Sequence, residues 1–534
     1  MKSVRAKNFL SLFLAGLLLT ISAVLRFDGI SFGLPHSFYA DEPEIAEPAI
    51  KYTYSLKSLL RNNDVYKLIP ESYVYGTAPV YFYTAATMLF SKTLNSSDIS
   101  FSKIDIYIFL RIINALISLA VIPLVYIISK RLVPANRYVL LVLSVFFVGL
   151  NWKFIVHGHY LNHDIIITLL LAVAWYFFLR YLTRTESSND PERDTINTIL
   201  CGILFGLAVS TKITSLLSYP VFTLGFLLNR SYRNAVAFSF VILGTFILTN
   251  PFAWLFPTDF LSRILEMQVK EAGLVFDSID LSPLKYFSSL TYMLTLPVIA
   301  AALIGIYSVI KSLRANKTTG PAKFWLLVVI QIVIYTLFFS FQSRKVDRWL
   351  LPILPYFMLF AIQGLYVLKN SRLIKAYKSI SLTIVALSIV GYLYYPYLLT
   401  KQFQPNTPKS QAYIWAQANL PETNLKLAIT EEGLDPLNKL PFASVMQFNV
   451  YESSGAQYVY PPNPELYDYV LISSRPMQWY KHPIVMKKYP SYYTAWQEFE
   501  DQLTDAKKYE LVKSFVLAKP NLIPLSDVYV YKRL

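Results

Sequence analysis

FLSLFLAGLLLTISAVL (Phe9–Leu25) is followed, after a short connection, by HSFYADEPE (His36–Glu44), and the reading of this junction governs the reading of the whole chain. The first stretch is apolar and is preceded by Lys2, Arg5 and Lys7, as expected of a membrane helix whose start is held in the cytoplasm. The second carries three carboxylates (Asp41, Glu42, Glu44) and one histidine (His36) within nine residues. It sets an acidic patch where the chain leaves the bilayer, and Pro43 is expected to stop the local backbone. Loops after membrane helices are usually polar, so solvated acids alone would also produce such a patch. The N-terminus has the form of a signal peptide, but only Arg26-Phe27-Asp28 follows it and no small-residue cleavage site is present. It is therefore expected to remain as an uncleaved first helix.

Composition supports a membrane location. Of 534 residues, 54% are hydrophobic and 15% charged, with a mean hydropathy of +0.41. Soluble domains carry about 45–50% apolar and about 25% charged residues. A net charge of +16 would suit a nucleic-acid binder, but the Lys and Arg fall in short clusters between apolar runs. Positive-inside topology accounts for that pattern better than a nucleic-acid footprint. The single cysteine, Cys201, lies inside an apolar run, so no intrachain disulfide framework exists.

Apolar runs long enough to approach a bilayer thickness of about 20 residues give an eleven-span expectation, the chain crossing at Phe9–Leu25, Ile106–Ile128, Tyr138–Leu150, Ile165–Leu182, Ile196–Val209, Ile213–Leu228, Ala235–Leu248, Leu290–Ile310, Phe324–Phe341, Trp349–Leu368 and Ile380–Leu399. With this count the basic residues fall at every inner turn. Pro79–Phe90 is too short to span and is read as an interfacial helix on the outer leaflet. Asn151–Asp164 is expected to be an outer loop, and Ser210-Thr211-Lys212 a tight outer turn. The first 400 residues thus form a membrane module. Residues 401–534, after a linker marked by Pro405, Pro408 and Pro421, are read as a small extracytoplasmic α/β domain with strands near Lys426–Thr430, Tyr469–Ile472 and Val528–Tyr531.

Collecting the outer-face polar residues gives two groups. The acidic group is Asp41, Glu42 and Glu44 with His36, joined by the loop His157-Gly158-His159-Tyr160-Leu161-Asn162-His163-Asp164. Asp164 heads an apolar helix, where an ionisable group is costly unless it has a task, although helix capping alone would also explain it. The basic group is Lys212, Arg344, Lys345 and Arg348, which break the positive-inside pattern. Snorkelling to headgroups is the plain explanation; a phosphate ligand at the outer headgroup level is the chemical one. A carboxylate facing a phosphate-binding cluster suits glycosyl transfer from a lipid-phosphate sugar: the base takes a hydroxyl proton while the cations stabilise the phosphate leaving group. Such a reaction needs no nucleotide loop. His157, His159 and His163 with carboxylates can bind a divalent metal such as Zn or Mn or simply pack as a polar loop; their spacing fits no tight ligand motif.

The order of these features resembles the GT-C fold glycosyltransferases, in the family that includes protein O-mannosyltransferases and the bacterial aminoarabinose transferase for lipid A. The resemblance rests on Tyr39-Ala40-Asp41-Glu42, Thr77-Ala78-Pro79 through Tyr83, Arg111-Ile112-Ile113-Asn114-Ala115 through Arg131, Asn162-His163-Asp164, Ser210-Thr211-Lys212 and Arg348-Trp349-Leu350-Leu351-Pro352. It covers most of residues 1–400, and the C-terminal region only in placement. It implies a polyprenyl-phosphate-linked sugar donor, inverting displacement and Asp41 as the key catalytic carboxylate, with Glu42 its supporting neighbour and Asp164 a second acid. Lys212, Arg344 and Arg348 become candidate donor-phosphate contacts, with Arg111 and His163 completing the substrate-binding set. The histidines of the second loop are more numerous than the family pattern leads one to expect. The implied location is the cell membrane, with the acceptor a lipid, protein or glycan hydroxyl. A transporter is the competing class, and a non-catalytic glycan-binding membrane protein the third; a transporter predicts polar residues at mid-span, and the spans here are nearly clean. A reporter fused after Leu534 is expected to read as external, and a cytoplasmic signal would overturn the eleven-span topology.

Overall fold

The computed structural model describes residues 2–35, 42–62, 76–95, 102–183, 191–273, 280, 282–314, 319–342, 344–370, 378–420, 425–429, 443–447, 463–488, 490–517, 519–523 and 525–534. The helices in chain order are α1 (Lys2–Phe27), α2 (Glu42–Asn62), α3 (Ala78–Asn95), α4 (Lys103–Leu132), α5 (Arg137–Ser144), α6 (Trp152–Gly158), α7 (His163–Leu182), α8 (Pro191–Thr211), α9 (Tyr219–Leu228) and α10 (Tyr232–Thr249). They continue as α11 (Pro251–Leu255), α12 (Pro257–Gly273), α13 (Lys285–Leu294), α14 (Leu296–Arg314), α15 (Gly320–Ser340), α16 (Leu354–Lys369), α17 (Lys378–Gln402) and α18 (Pro408–Asn419). Each of the eleven expected spans falls on helical structure. Among the described residues, eight helices are long and apolar enough to cross a membrane, or nine if a bent pair counts as one span. In that pair Arg137–Gly149 and Trp152–Gly158 meet at 61°, with a π-helical turn at Val145–Gly149 before the bend. The Ile213–Leu228 run opens as a 3₁₀ turn, Ile213–Ser218, before α9. α3 covers the Pro79–Phe90 stretch and is not among the span-length apolar helices.

Two expected loops are helices instead. Pro43 is the second residue of α2, with Glu42 and Glu44 in its first turn. There proline starts a helix, because the missing N–H is one the first turn leaves unpaired anyway. The segment after Asn151 is α6, and all seven of its residues are buried. The Asn151 side chain accepts from the Lys153 and Phe154 N–H groups and caps it. A polar sequence that is buried reads as a loop until its partners are known.

The membrane core runs from Val121 in α4 through Trp175, Phe178, Phe222 and Phe238 to Phe360 in α16. α14 and α16 cross closely because both carry glycine at the crossing. A Cβ on Gly364 would lie 1.8 Å from the Ala301 carbonyl oxygen, and one on Gly305 2.0 Å from that of Phe360. Arg26, at the end of α1, is fully buried and donates to Ser118 Oγ at 2.9 Å and to the Gly149 oxygen at 2.7 Å. It thereby fixes α1 against α4 and the π turn.

The C-terminal residues form a five-stranded sheet of order β2-β1-β3-β5-β4. β1 (Leu425–Ile429), β2 (Ala443–Gln447) and β3 (Tyr469–Ser473) run parallel, while β4 (Tyr509–Phe515) and β5 (Val528–Arg533) close it antiparallel. The two-residue period of a strand separates the faces. Leu427, Leu471, Val528 and Val530 pack beneath α18, and Ala428, Val470 and Ile472 pack on Trp496 and Phe499. Sequence alone predicts β1, β3 and β5, and misses β2 and the largely exposed edge strand β4; Thr430 lies outside the described residues. The sheet region is seated on the helical part through Leu522, Ile523 and Leu525, which pack with Phe32, Trp152, Leu399 and Phe403. Gln402 donates to the Pro520 oxygen at 2.6 Å and accepts from the Leu522 N–H at 3.0 Å.

Gly364→Ala is expected to force α14 and α16 apart and to cost about 1–3 kcal/mol, read as a lowered thermal midpoint of the purified protein. Gly391→Ala, whose Cβ meets nothing within 4 Å, is the matched control and should stay within about 0.5 kcal/mol.

Candidate active site

The acidic junction and the second helix are held by one buried ion pair. Arg111, on α4, donates from Nε (2.8 Å) and Nη2 (2.7 Å) to the two carboxylate oxygens of Glu42, both side chains being 0% exposed. Its Nη1 donates to the Ile30 and Phe32 carbonyls at 2.8 and 2.9 Å, and the guanidinium lies 4.4 Å from the Phe32 ring. Glu42 also accepts from the Leu161 N–H at 3.2 Å. Glu42 and Arg111 therefore spend their polar atoms on each other and on backbone, clamping the start of α2 to α4 and to the turn before α7. His36 and Asp41 lie outside the described residues. Glu44, two residues on in the same turn, is exposed.

The second centre is Asp164. Asn162, not Asp164, caps α7, its side chain accepting from the Asp164 N–H at 2.7 Å. The Asp164 carboxylate is thus released from capping and turned to cations, with Lys212 Nζ 2.7 Å from Oδ1 and Arg348 Nε 3.5 Å from Oδ2. Asp164 is 3% exposed. The acid and two of the cations that the sequence separates into opposing groups are one cluster. His163 lies in the field of Lys212 and Arg348. Arg344 lies in the field of the Tyr286 hydroxyl. Buried Lys345 donates to the Gln342 carbonyl, and its burial draws the ammonium below its usual range.

Neighbouring polar groups brace this cluster. The Gly76 N–H donates to the Thr211 oxygen at 3.2 Å, and Gly76 is required because a Cβ there would meet the Ser210 oxygen at 1.8 Å. The Thr77 N–H donates to Asn250 Oδ1 at 2.9 Å. Tyr83 donates to Asn114 Oδ1 at 3.2 Å, while Asn114 Nδ2 donates to the His157 and Tyr160 carbonyls at 2.8 and 2.6 Å. Most of the motifs read from sequence therefore interlock.

Two residues beside the cluster escape sequence reasoning. Lys153, on α6, is nine-tenths buried, with Nζ 3.4 Å from Asp347 Oδ2 and 4.3 Å from the Trp152 ring. A lysine among aromatic residues in an outer segment was the available signal. His157 shares a 2.7 Å hydrogen bond with the Tyr160 hydroxyl through Nδ1, and its buried Nε2 has no hydrogen-bond partner among the described residues. His159 plays no part here. It stacks on Phe403 at 3.7 Å between the Ile155 and Asp28 carbonyls, and burial pushes its imidazole down to about 4. Neutral at pH 7, it donates to one of the two carbonyls at a time. Among the described residues no group of three or more His, Cys, Asp or Glu lies close enough to hold a metal ion.

A bundle of membrane-length helices carries charged side chains buried at one set of helix ends and a small α/β sheet seated over the first connection, a fold shared with GT-C-like solved structures. Residues 82–230, from α3 to the end of α9, match the family model described as dolichyl-phosphate-mannose-protein mannosyltransferase. That range holds Asp164 and Lys212. Among solved structures, the chain is similar to ArnT from Cupriavidus metallidurans in the apo state, with TM-score 0.57 and 13% identity over 98% of each chain. The same protein bound to undecaprenyl phosphate gives TM-score 0.53 and 13% identity, covering 96% of this chain and 97% of that one. Archaeal oligosaccharyltransferase AglB from Archaeoglobus fulgidus, in complex with an inhibitory peptide and a dolichol-phosphate, gives TM-score 0.52 and 13% identity over 98% and 75%. No curated protein matches by sequence.

Glu42→Gln leaves Arg111 charged, buried and facing a neutral amide. Removing one partner of a buried pair costs about 3–5 kcal/mol, so a marked drop in the thermal midpoint is expected; an unchanged midpoint would show that the pair does not hold the first connection.

Proposed function

We propose that this chain is an integral-membrane glycosyltransferase that moves a sugar from a polyprenyl-phosphate donor to an acceptor hydroxyl at the outer membrane face, with inversion at the anomeric carbon. The observation that carries the reading is the buried Asp164–Lys212–Arg348 cluster at the head of α7, joined by Glu42 to the acidic junction. Asp41 takes the proton of the acceptor hydroxyl. The hydroxyl oxygen attacks the anomeric carbon, the bond from that carbon to the phosphate oxygen breaks, and polyprenyl phosphate leaves with the electron pair.

Lys212 and Arg348 stabilise the charge that develops on the leaving phosphate. Asp164 holds both cations in position, so little reorganisation is needed during reaction. His157, whose Nδ1 accepts from Tyr160, carries its proton on Nε2 and donates it to a phosphate oxygen, which satisfies a buried ring nitrogen that has no partner among the described residues. Arg344 and His163 line the same donor site. Glu42 and Arg111 position the junction instead of touching substrate. The presence of undecaprenyl phosphate in the ArnT structure and of dolichol-phosphate in the AglB structure supports a lipid-phosphate donor. The transport alternative calls for paired interruptions in two repeats, whereas a single bent helix pair exists among the described residues.

The test is transfer of label from a radiolabelled polyprenyl-phosphate hexose in membranes holding the full chain. Asp41→Asn should lose about 10²–10⁴-fold in rate while inserting normally, and a fully active variant rejects Asp41 as base. Arg348→Ala should raise KM for the donor more than it lowers the thermal midpoint; the reverse would make Arg348 a structural residue.

A further inference from the structure

We propose that a second anion site lies at the far ends of the same helices and binds the phosphate of an anionic lipid headgroup. α7 carries Asp164 at its start and ends at Leu182; its 20 residues span roughly 30 Å at 1.5 Å per residue. That is about one hydrocarbon thickness. At the far end, the last residues of α4, α7 and α9 and the first turn of α15 enclose a cavity of about 740 Å³, within the usual size range of small-molecule sites, about 300–1,000 Å³. The site therefore sits at the headgroup level of the opposite leaflet and is independent of the reaction proposed above.

Three cations from three separate elements converge on it: Arg131 from α4, Arg230 after α9 and Lys323 from α15. Among the described residues that line it, none is acidic. Basic residues at helix ends often do no more than complement the C-terminal dipoles, and three helices do end here. Each such end carries about half a negative charge, and the start of α15 about half a positive one, which leaves a surplus of about two positive charges counted over the described lining residues. Lys323 is aimed from within the cavity wall, its Nζ donating to Asn229 Oδ1 at 2.5 Å. The Thr319 side chain makes no capping hydrogen bond, and although Pro321 has no N–H, the Gly320 N–H at the first position of α15 adds a donor beside the cavity.

Arg230 supplies a separate indication. It follows α9 with φ +53°, and the bonds Arg230 N–H to the Leu227 oxygen and Ser231 N–H to the Phe226 oxygen close the helix. Glycine is the relaxed choice for this left-handed closing position. A long cation there retains its side chain against backbone preference, and that side chain lines the cavity. Basic pockets between membrane helices are suited to phosphate-bearing headgroups.

The experiment compares thermal midpoints of the full chain in nanodiscs of phosphatidylcholine with and without phosphatidylglycerol. Wild type should be stabilised by phosphatidylglycerol, and the absence of any rise overturns the site. Arg230→Gly relaxes the backbone and so should fold at least as well in phosphatidylcholine. Combined with Lys323→Gln it should lose most of the rise, with lipid retention in native mass spectrometry weakened on the order of fivefold per cation removed. Lys311→Gln, at the end of α14 and outside the cavity, should keep the full rise. A double variant that keeps it overturns the site. Inorganic phosphate added to the phosphatidylcholine discs separates the sources: a matching rise that the double variant loses assigns the cavity to a soluble phosphate, and no rise assigns it to the lipid.

Discussion

The bidentate pair between Glu42 and Arg111 is the constraint on which the first part of the structure depends. Taking two charges fully out of water costs several kcal/mol per ion even after relaxation. The cost is offset because four of the five Arg111 N–H groups and both Glu42 carboxylate oxygens are bonded: two bonds within the pair, two from Arg111 to the Ile30 and Phe32 carbonyls, and one from the Leu161 N–H to Glu42. Outside the pair itself, the bonds come from two stretches of chain, the first connection (Ile30 and Phe32) and the turn before α7 (Leu161). The first connection, α2, α4 and the turn before α7 are therefore tied together at this buried pair, and the bonds from Tyr107 to Glu47 and from Asn114 to the His157 and Tyr160 carbonyls add to the same ties.

That clamp delivers the Asn162–Asp164 turn to the position where Asp164 meets Lys212 and Arg348. Because Asn162 takes the capping task, the Asp164 carboxylate is available for the cations. Because Asp164 holds them, two positive side chains can sit close together under burial without expelling one another. Lys153 and Asp347 extend the same alternation of sign to α6 and to the turn before α16. A cluster built this way presents cations in fixed positions, which is the property that stabilising a phosphate leaving group requires. The sheet region packs on the first connection from outside, through Leu522, Ile523 and Phe403, so the junction is braced from both sides.

The parts of this arrangement differ in how readable they are. Asp164, Lys212 and Arg348 stand out in sequence because each is a charge where the membrane disfavours one. Lys153 is equally buried and equally paired, but it lies in a segment that reads as a loop, and nothing local distinguishes a lysine in solvent from one facing Asp347. Pro43 misleads in the same way, since proline ends helices in their interior and begins them at their first turn. β4 is missed because this edge strand buries little, and its alternation is faint beside that of β3.

The sequence by itself determined that the chain is polytopic, where its apolar helices run and which side chains are out of place in a bilayer. It could do so because a hydrocarbon layer imposes length and polarity on every span separately, and both are local properties. Tertiary structure alone decided that Glu42 faces Arg111 across 69 residues and that Asp164 faces Lys212 across 48. Partnership between distant charges depends on how helices pack, and packing depends on the whole set of side-chain volumes at once; no periodicity within a single segment records it.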